Sequence, residues 1–334
     1  MSVDMSLFLQ NVHVALANQQ YQHATFLLDY AITLAEKEEK SPACSSLDVS
    51  MGLHRGRVRE ANEDCLFAIS GIFPEVHRSG LYVVCDGMGG HVRGQEAAHL
   101  AIQTIVEALL PQVVANPPHA QWEHLLADAL QQANRAILLR NQSLELQSIA
   151  NGVPVTMSQF CHMGTTVTAV LLCDHTAYVA NVGDSRTYLY DQSLHKITTD
   201  HSLVAQLLAD GLLEEEEIYV HPLRNQITRA LGSAPSVQID TFVVPLHGHE
   251  ILLLCSDGLW EMTRDRTMEV ILASSWANAA AMAHRLVQIA NENGGADNIG
   301  CIVIQLQRQT DTSSLETMLI DPIAALNRLV MSTQ

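Results

Sequence analysis

The chain has 334 residues, 48% hydrophobic and 16% charged, which excludes a disordered polymer and leaves room for one large domain with a small appendage. A formal net charge of −18 excludes nucleic acid and anionic membrane as main partners, because both demand surplus basic residues. Seven cysteines without a CxxC pair read as reduced core thiols, and the lack of a signal peptide or of about 18 consecutive apolar residues predicts a cytoplasmic protein.

Residues 1–40 carry Leu7, Leu9, Val12, Val14, Leu16, Tyr21, Ala24, Leu27, Leu28, Ala31 and Leu34 at spacings that fit one or two amphipathic helices. They read as a small docking or dimerisation element, the plainer alternative being an accessory helix packed on the main domain. One hairpin is too little to stack as a solenoid. Serine and proline collect over residues 41–48, a predicted linker.

Over residues 49–307 short apolar strands alternate with helical stretches, as in a single α+β domain. The predicted strands are LYVVC, TVTAVLL, AYVANV, TYLY, EILLLC and CIVIQL; the predicted helices are GQEAAHLAIQTIVEALL, WEHLLADALQQANRAILLR and AAAMAHRLVQIANE. AYVANV and TYLY are joined by Gly183-Asp184-Ser185-Arg186, which reads as a tight turn and predicts that they pair antiparallel, since a parallel pair needs a crossover of about a dozen residues. Residues 308–334 form a polar, then weakly amphipathic tail.

Two strands end alike, Cys85 running into Asp86-Gly87 and Cys255-Ser256 into Asp257-Gly258, while Asp297-Asn298 precedes the strand that starts at Ile299. If the Ile251 and Ile299 strands pair antiparallel, Asp257 and Asp297 share one rim, and carboxylates that close repel unless a cation or a proton lies between them. Oxygen-only donors select hard ions, Mg²⁺ or Mn²⁺. The segment Arg59-Glu60-Ala61-Asn62-Glu63-Asp64 adds an arginine that could grip a phosphate through two N–H groups, and Glu63 or Asp64 to complete a second metal site. With only three lysines in the chain, a phosphate clamp is expected to be arginine. Two cations about 4 Å apart supply hydroxide at neutral pH for an in-line phosphoryl displacement.

The ordered set RVREANED, CDGMGGH, GTTVTAVLL, VGDSRTYLY, TTDHSLVAQLLADGLL, HPLRNQITRALG, LLCSDGLW and GGADNIGCIVI resembles the PPM family, the bacterial phosphatase 2C-like serine/threonine phosphatases, over about Met51 to Leu306. The resemblance implies a four-layer α-β-β-α sandwich of two antiparallel sheets. It implies that Asp86 bridges two metals, the Gly87 carbonyl binds one of them, Asp257 and Asp297 hold the other, and Glu63 or Asp64 lies near the second. It matches Arg59 to the phosphate-binding arginine and 202–231 to a flap beside the site. The chain departs from the pattern twice: Cys161 stands where many bacterial relatives carry a third-metal aspartate, and Met88 stands where animal members place a histidine acid, leaving His91 as the nearest replacement.

The function this implies is hydrolysis of phosphoserine and phosphothreonine on proteins by a hydroxide bridging two Mn²⁺ or Mg²⁺ ions, acting on substrates of a Ser/Thr kinase. The competing reading is a pseudophosphatase that serves as a scaffold, supported by Cys161 and the N-terminal segment. A narrower enzymatic reading is a phosphatase for a phosphorylated anti-sigma-factor antagonist. His201 reads as a loop anchor, and the GLLEEEE run as a solvated helix face.

Overall fold

The structure, a computed structural model, describes residues 5–17, 20–21, 24–28, 47–72, 76, 78–89, 92–115, 118–152, 162–274 and 278–307. One antiparallel sheet contains β1 (Leu47–His54), β7 (Arg186–Asp191), β8 (Ser193–Lys196), β10 (Ile251–Cys255) and β11 (Ile299–Leu306), in the order β1-β11-β10-β7-β8. The other contains β2 (Asp64–Ser70), β3 (Ser79–Met88), β5 (Val167–Cys173), β6 (Thr176–Val182) and β9 (Asp240–Pro245), in the order β2-β3-β5-β6-β9, with the short β4 (Gly164–Thr165) on β3.

Side-chain alternation explains the layering. Along β3, Leu81, Val83 and Cys85 face a core closed by α2 (Val92–Ala115) and α3 (Trp122–Ala150), while Tyr82 and Val84 face the core between the sheets. Along β10, Leu252 and Leu254 join that middle core, while Ile251, Leu253 and Cys255 pack under α5 (Asp257–Thr263), α6 (Asp265–Leu272) and α7 (Ala279–Glu292). Strands buried on both faces read as unbroken apolar runs, which is why LYVVC and ILLLC stand out. The four layers are those the resemblance implied, and the described cysteines are buried free thiols.

Two expectations change. The AYVANV and TYLY strands, β6 and β7, lie in different sheets, so the Gly183–Arg186 turn carries the chain across the sandwich instead of closing a hairpin. Stacked sheets are about 10 Å apart, a gap four residues span, and Gly183 makes the corner at φ +105°, where an added Cβ would press on Thr166 at 2.6 Å. In the flap, the helix α4 (Leu203–Ala209) stops before the acidic run, and Glu215–Tyr219 form a 3₁₀ turn.

The N-terminal helix α1 (Met5–Ala17) lies on β1 and β2, with Leu7, Val12 and Ala15 buried. The Asn11 amide donates to the Ala68 carbonyl (2.9 Å) and accepts from the Ala68 N–H (3.0 Å), pairing the outer edge of β2 as a neighbouring strand would. The segment is thus packed on the main domain. β1 begins at Leu47, inside the stretch expected as linker, and residues 29–46 and 308–334 lie outside the described residues.

Candidate metal centre and active site

One end of the sandwich gathers the acids. Asp64, the first residue of β2, pairs in register with Asp86 near the end of β3. In the other sheet β10 pairs antiparallel with β11, Cys255 opposite Cys301, so Asp257 and Asp297 lie at the same rim. Their approach is tight: a Cβ on Gly258 would meet the Asn298 carbonyl oxygen at 2.0 Å, so only glycine fits there. Ser256 ties the rims together, donating from Oγ to Asp64 Oδ2 (2.6 Å) and accepting the Gly300 N–H (2.9 Å).

The loop before β2 is braced at three points by one side chain, that of Asn298. Asn298 donates to the carbonyls of Arg55 (2.9 Å) and Ala61 (2.8 Å) and accepts the Glu63 N–H (2.8 Å). Glu63 is thereby aimed at the start of α2, where its Oε2 and the Gly87 carbonyl oxygen lie 1.8 Å and 2.7 Å from the point a Gly94 Cβ would occupy. Two oxygen donors share that space because Gly94 leaves it empty. Arg59, about half exposed, donates to Asp297 Oδ2 at 2.7 Å, and this bond raises its pKa first among several causes.

Withdrawal from water, followed by repulsion among the acids, opposes their ionisation. The Asp64 carboxyl is pushed up to about 7, chiefly by burial. Asp86 and Asp257 are held well above the carboxylate range, burial again first, then Asp257 and Asp64 acting on Asp86, and Asp184 and Asp297 acting on Asp257. The Oδ1 atoms of Asp64, Asp184 and Asp257 are buried without a hydrogen-bond partner among the described residues. Buried carboxylate oxygens left in that condition are costly unless a cation completes them. The donor set is all oxygen, and it fits hard divalent ions.

Of the residues named from sequence, Arg59, Glu63, Asp64, Asp86, Gly87, Asp257 and Asp297 converge here; His91 and Cys161 lie outside the described residues. Sequence reading missed Ser256, Asn298 and Gly94, which hold or make room for the acids; their adjacency to Asp257, Asp297 and the Gly89-containing turn was the available signal. It also treated Asp184 only as a turn residue. His201 is a loop anchor: Nδ1 accepts the Gly183 N–H at 3.0 Å, and Nε2 lies 3.1 Å from Asp240. Among the described residues one trio of acid and imidazole donors closes within 4.8 Å, Asp191, His249 and Glu250, at the opposite end of the sheet. There the Glu250 oxygens are taken by the N–H groups of His247, Gly248 and His249, a turn brace.

The chain is similar to known proteins over most of its length. Residues 54–299 match the family model described as protein phosphatase 2C. The serine/threonine phosphatase stp of Listeria monocytogenes serotype 4b is 36% identical over 252 residues, 75% of this chain and 92% of that protein. The crystal structure of serine/threonine phosphatase Stp1 from Staphylococcus aureus superposes with a TM-score of 0.66 at 27% identity, over 81% of this chain and 99% of that one. A structure of the PstP catalytic domain in complex with two manganese ions gives 0.61 at 29% identity, over 78% and 98%. The match spans the acids of both sheets and Arg59 alike, so this chain belongs to the bacterial PPM, or protein phosphatase 2C-like, family and is a metal-dependent serine/threonine protein phosphatase.

Proposed function

We propose that the acids at the end of the sandwich hold two divalent cations, Mn²⁺ or Mg²⁺, and that the chain uses them to hydrolyse phosphoserine and phosphothreonine on substrates of a Ser/Thr kinase. The observation that carries this reading is the set of buried carboxylate oxygens, without a hydrogen-bond partner among the described residues, where the two sheets meet. Asp86, paired in register with Asp64, would be the shared ligand, with Glu63 and the Gly87 carbonyl holding one ion and Asp257 and Asp297 the other. Bound there, such a pair supplies water activation at neutral pH and charge stabilisation for phosphoryl transfer.

The chain's own groups do the rest. Arg59 exchanges its exposed bond to Asp297 for two N–H contacts with the phosphate oxygens, orienting the ester for in-line attack. Water gives up one proton to solvent as its oxygen bonds to phosphorus, the bond from phosphorus to the serine or threonine oxygen breaks, and that oxygen takes up a proton, so that the alcohol and inorganic phosphate leave. His91 is the expected donor. The flap bears on the same wall, with Arg224 Nε 3.4 Å from Glu261 Oε2 and Tyr219 edge-on to Trp260.

Purified protein assayed on phosphothreonyl peptides is expected to turn over with Mn²⁺ or Mg²⁺ and to stop in excess chelator. Unchanged turnover in chelator contradicts the reading, and tight metal binding without turnover on any peptide favours the scaffold instead.

A further inference from the structure

A groove of about 760 Å³ runs between α1 and α7 over the edge strand β1. Among the described residues its walls are His13 and Val14 on one side and His284 and Val287 on the other, above Met51 and Leu53. On α7 the lining residues Ala280, His284, Val287, Gln288 and Asn291 recur at helical spacing, beside the separate stripe of Ala279, Met282, Ala283 and Leu286 that the helix buries. The family match covers residues 54–299, so α1, which makes one wall, is an addition to the matched domain.

The path of the chain leads to this groove. β11 ends at Leu306, opposite Leu47 of β1, and Arg78 Nη2 donates to the Gln307 carbonyl at 2.8 Å. At the same end Asp48 Oδ2 accepts the Ala279 N–H at 2.9 Å, pinning the start of α7 beside the start of β1. Residues 308–334, which also lie outside the family match, therefore depart near the end of the groove that Ala280 lines. Within them Asp321-Pro322 is a helix start by residue type, and Ile323, Leu326, Leu329 and Val330 follow on one helical face. As a helix, residues 322–330 are about 13 Å long, against about 17 Å along α7 from Ala280 to Asn291. The stretch 308–320 reaches up to about 40 Å when extended, more than enough to bring them there.

Charge favours the same occupant. In a chain of net charge −18 the groove presents Arg57 and the imidazoles of His13, His54 and His284 against one acid, Glu292. Burial, then Arg55 and Arg57, hold the His54 imidazole below its usual value, so at neutral pH Arg57 supplies the fixed charge there. The apolar run of the tail brings acids with it, Glu316 and Asp321. We propose that residues 321–330 dock in this groove as an amphipathic helix, with Ile323, Leu326 and Leu329 over Val14, Met51 and Val287 and with Asp321 at the basic rim. The Arg57 N–H donates to the Gly295 carbonyl at 2.7 Å, two residues before Arg59, so the docked tail abuts the loop that carries Arg59. Docking is independent of cation binding.

Photocrosslinking of the full chain tests it, with p-benzoylphenylalanine in place of Gln288 on the exposed wall and, in a second protein, in place of Ala280 at the other end of the groove. Irradiation of dilute protein followed by peptide mapping is expected to join both positions to residues 321–330 of the same chain. Leu326→Asp is expected to lower that yield at least about tenfold, because it sets a charge against the apolar floor. A crosslinker in place of Val270, exposed on α6 and outside the groove lining, is the reference. Tail adducts in equal yield from Val270 show a tail that is not held and overturn the proposal. Adducts from the groove to residues 29–46 in place of the tail overturn it too, as do covalent dimers whose yield rises with protein concentration, which make a second copy the occupant. The absence of any adduct, or wild-type crosslinking by Leu326→Asp, has the same consequence.

Discussion

On the function proposed above, Arg59 binds the substrate phosphate: it touches Asp297 of the acid cluster while keeping half its side chain in solvent. A charge-assisted contact contributes about 1.5–3 kcal/mol, so Arg59→Ala is expected to lower kcat/KM on a phosphopeptide by about 10- to 100-fold. Arg59→Lys is expected to recover little of this, since an ammonium cannot reproduce the planar two-donor fork. Steady-state kinetics check both; a lysine variant with near wild-type kcat/KM contradicts bidentate phosphate binding. Arg186 illustrates a different use of the same side chain. It lies under Trp260, 3.4 Å from the ring centroid, and is paired with Asp200 in the interior. Breaking such a pair by removing one partner costs about 3–5 kcal/mol, so Asp200→Ala is expected to lower unfolding stability by that order in urea titrations.

At the scale of elements, two braces stand apart from the chemistry. Asn11 pairs both backbone groups of Ala68, and Asn11→Ala leaves them without that partner, for an expected loss of about 1–3 kcal/mol and faster hydrogen exchange at the Ala68 amide. An unchanged exchange rate removes the edge-pairing role. In the turn between β9 and β10, burial opposes the charge on Glu250, but the N–H groups of His247, His249, Glu250 and Gly248 outweigh it and hold the carboxyl at about 2. A depressed carboxyl stabilises the fold above its unfolded value, near 4.3, and that contribution disappears as pH falls toward about 2. Thermal melts from pH 6 to 2 are therefore expected to fall more steeply for wild type than for Glu250→Gln, which lacks this titration; parallel curves contradict it.

Much of this was legible in the sequence. β3, β5, β10 and β11 are buried on both faces and announce themselves as apolar runs, and the Asp-Gly and Asp-Asn pairs at their ends mark the rim. β9 was not, because its pattern is mostly half-exposed and carries little periodic signal. β2 was obscured for another reason: Asp64 and Ser70 bound a short run whose first residue is a buried acid, which reads as loop until its partner Asp86 is placed beside it. The two-sheet crossing at Gly183–Arg186 was misread since local turn length does not say which layer the next strand joins. Ser256 and Asn298 were missed because their work is done across 44 and more than 230 residues of sequence, on Gly300 and on the loop from Arg55 to Glu63.

For the molecule as a whole, the two sheets are a device for bringing acids from distant segments to one end. Asp64 and Asp86 come from one sheet, Asp257 and Asp297 from the rim of the other, and Ser256 links them at 2.6 Å. No described helix is long and apolar enough to cross a membrane. If catalysis depends on cations held at this shared end, Asp257→Asn reveals it in one paired measurement of Mn²⁺ affinity and phosphopeptide turnover. Both are expected to fall together, with turnover lost at any Mn²⁺ concentration that leaves the variant sparsely occupied. Wild-type turnover by Asp257→Asn, or loss of turnover with wild-type Mn²⁺ binding and an unchanged melting temperature, contradicts it.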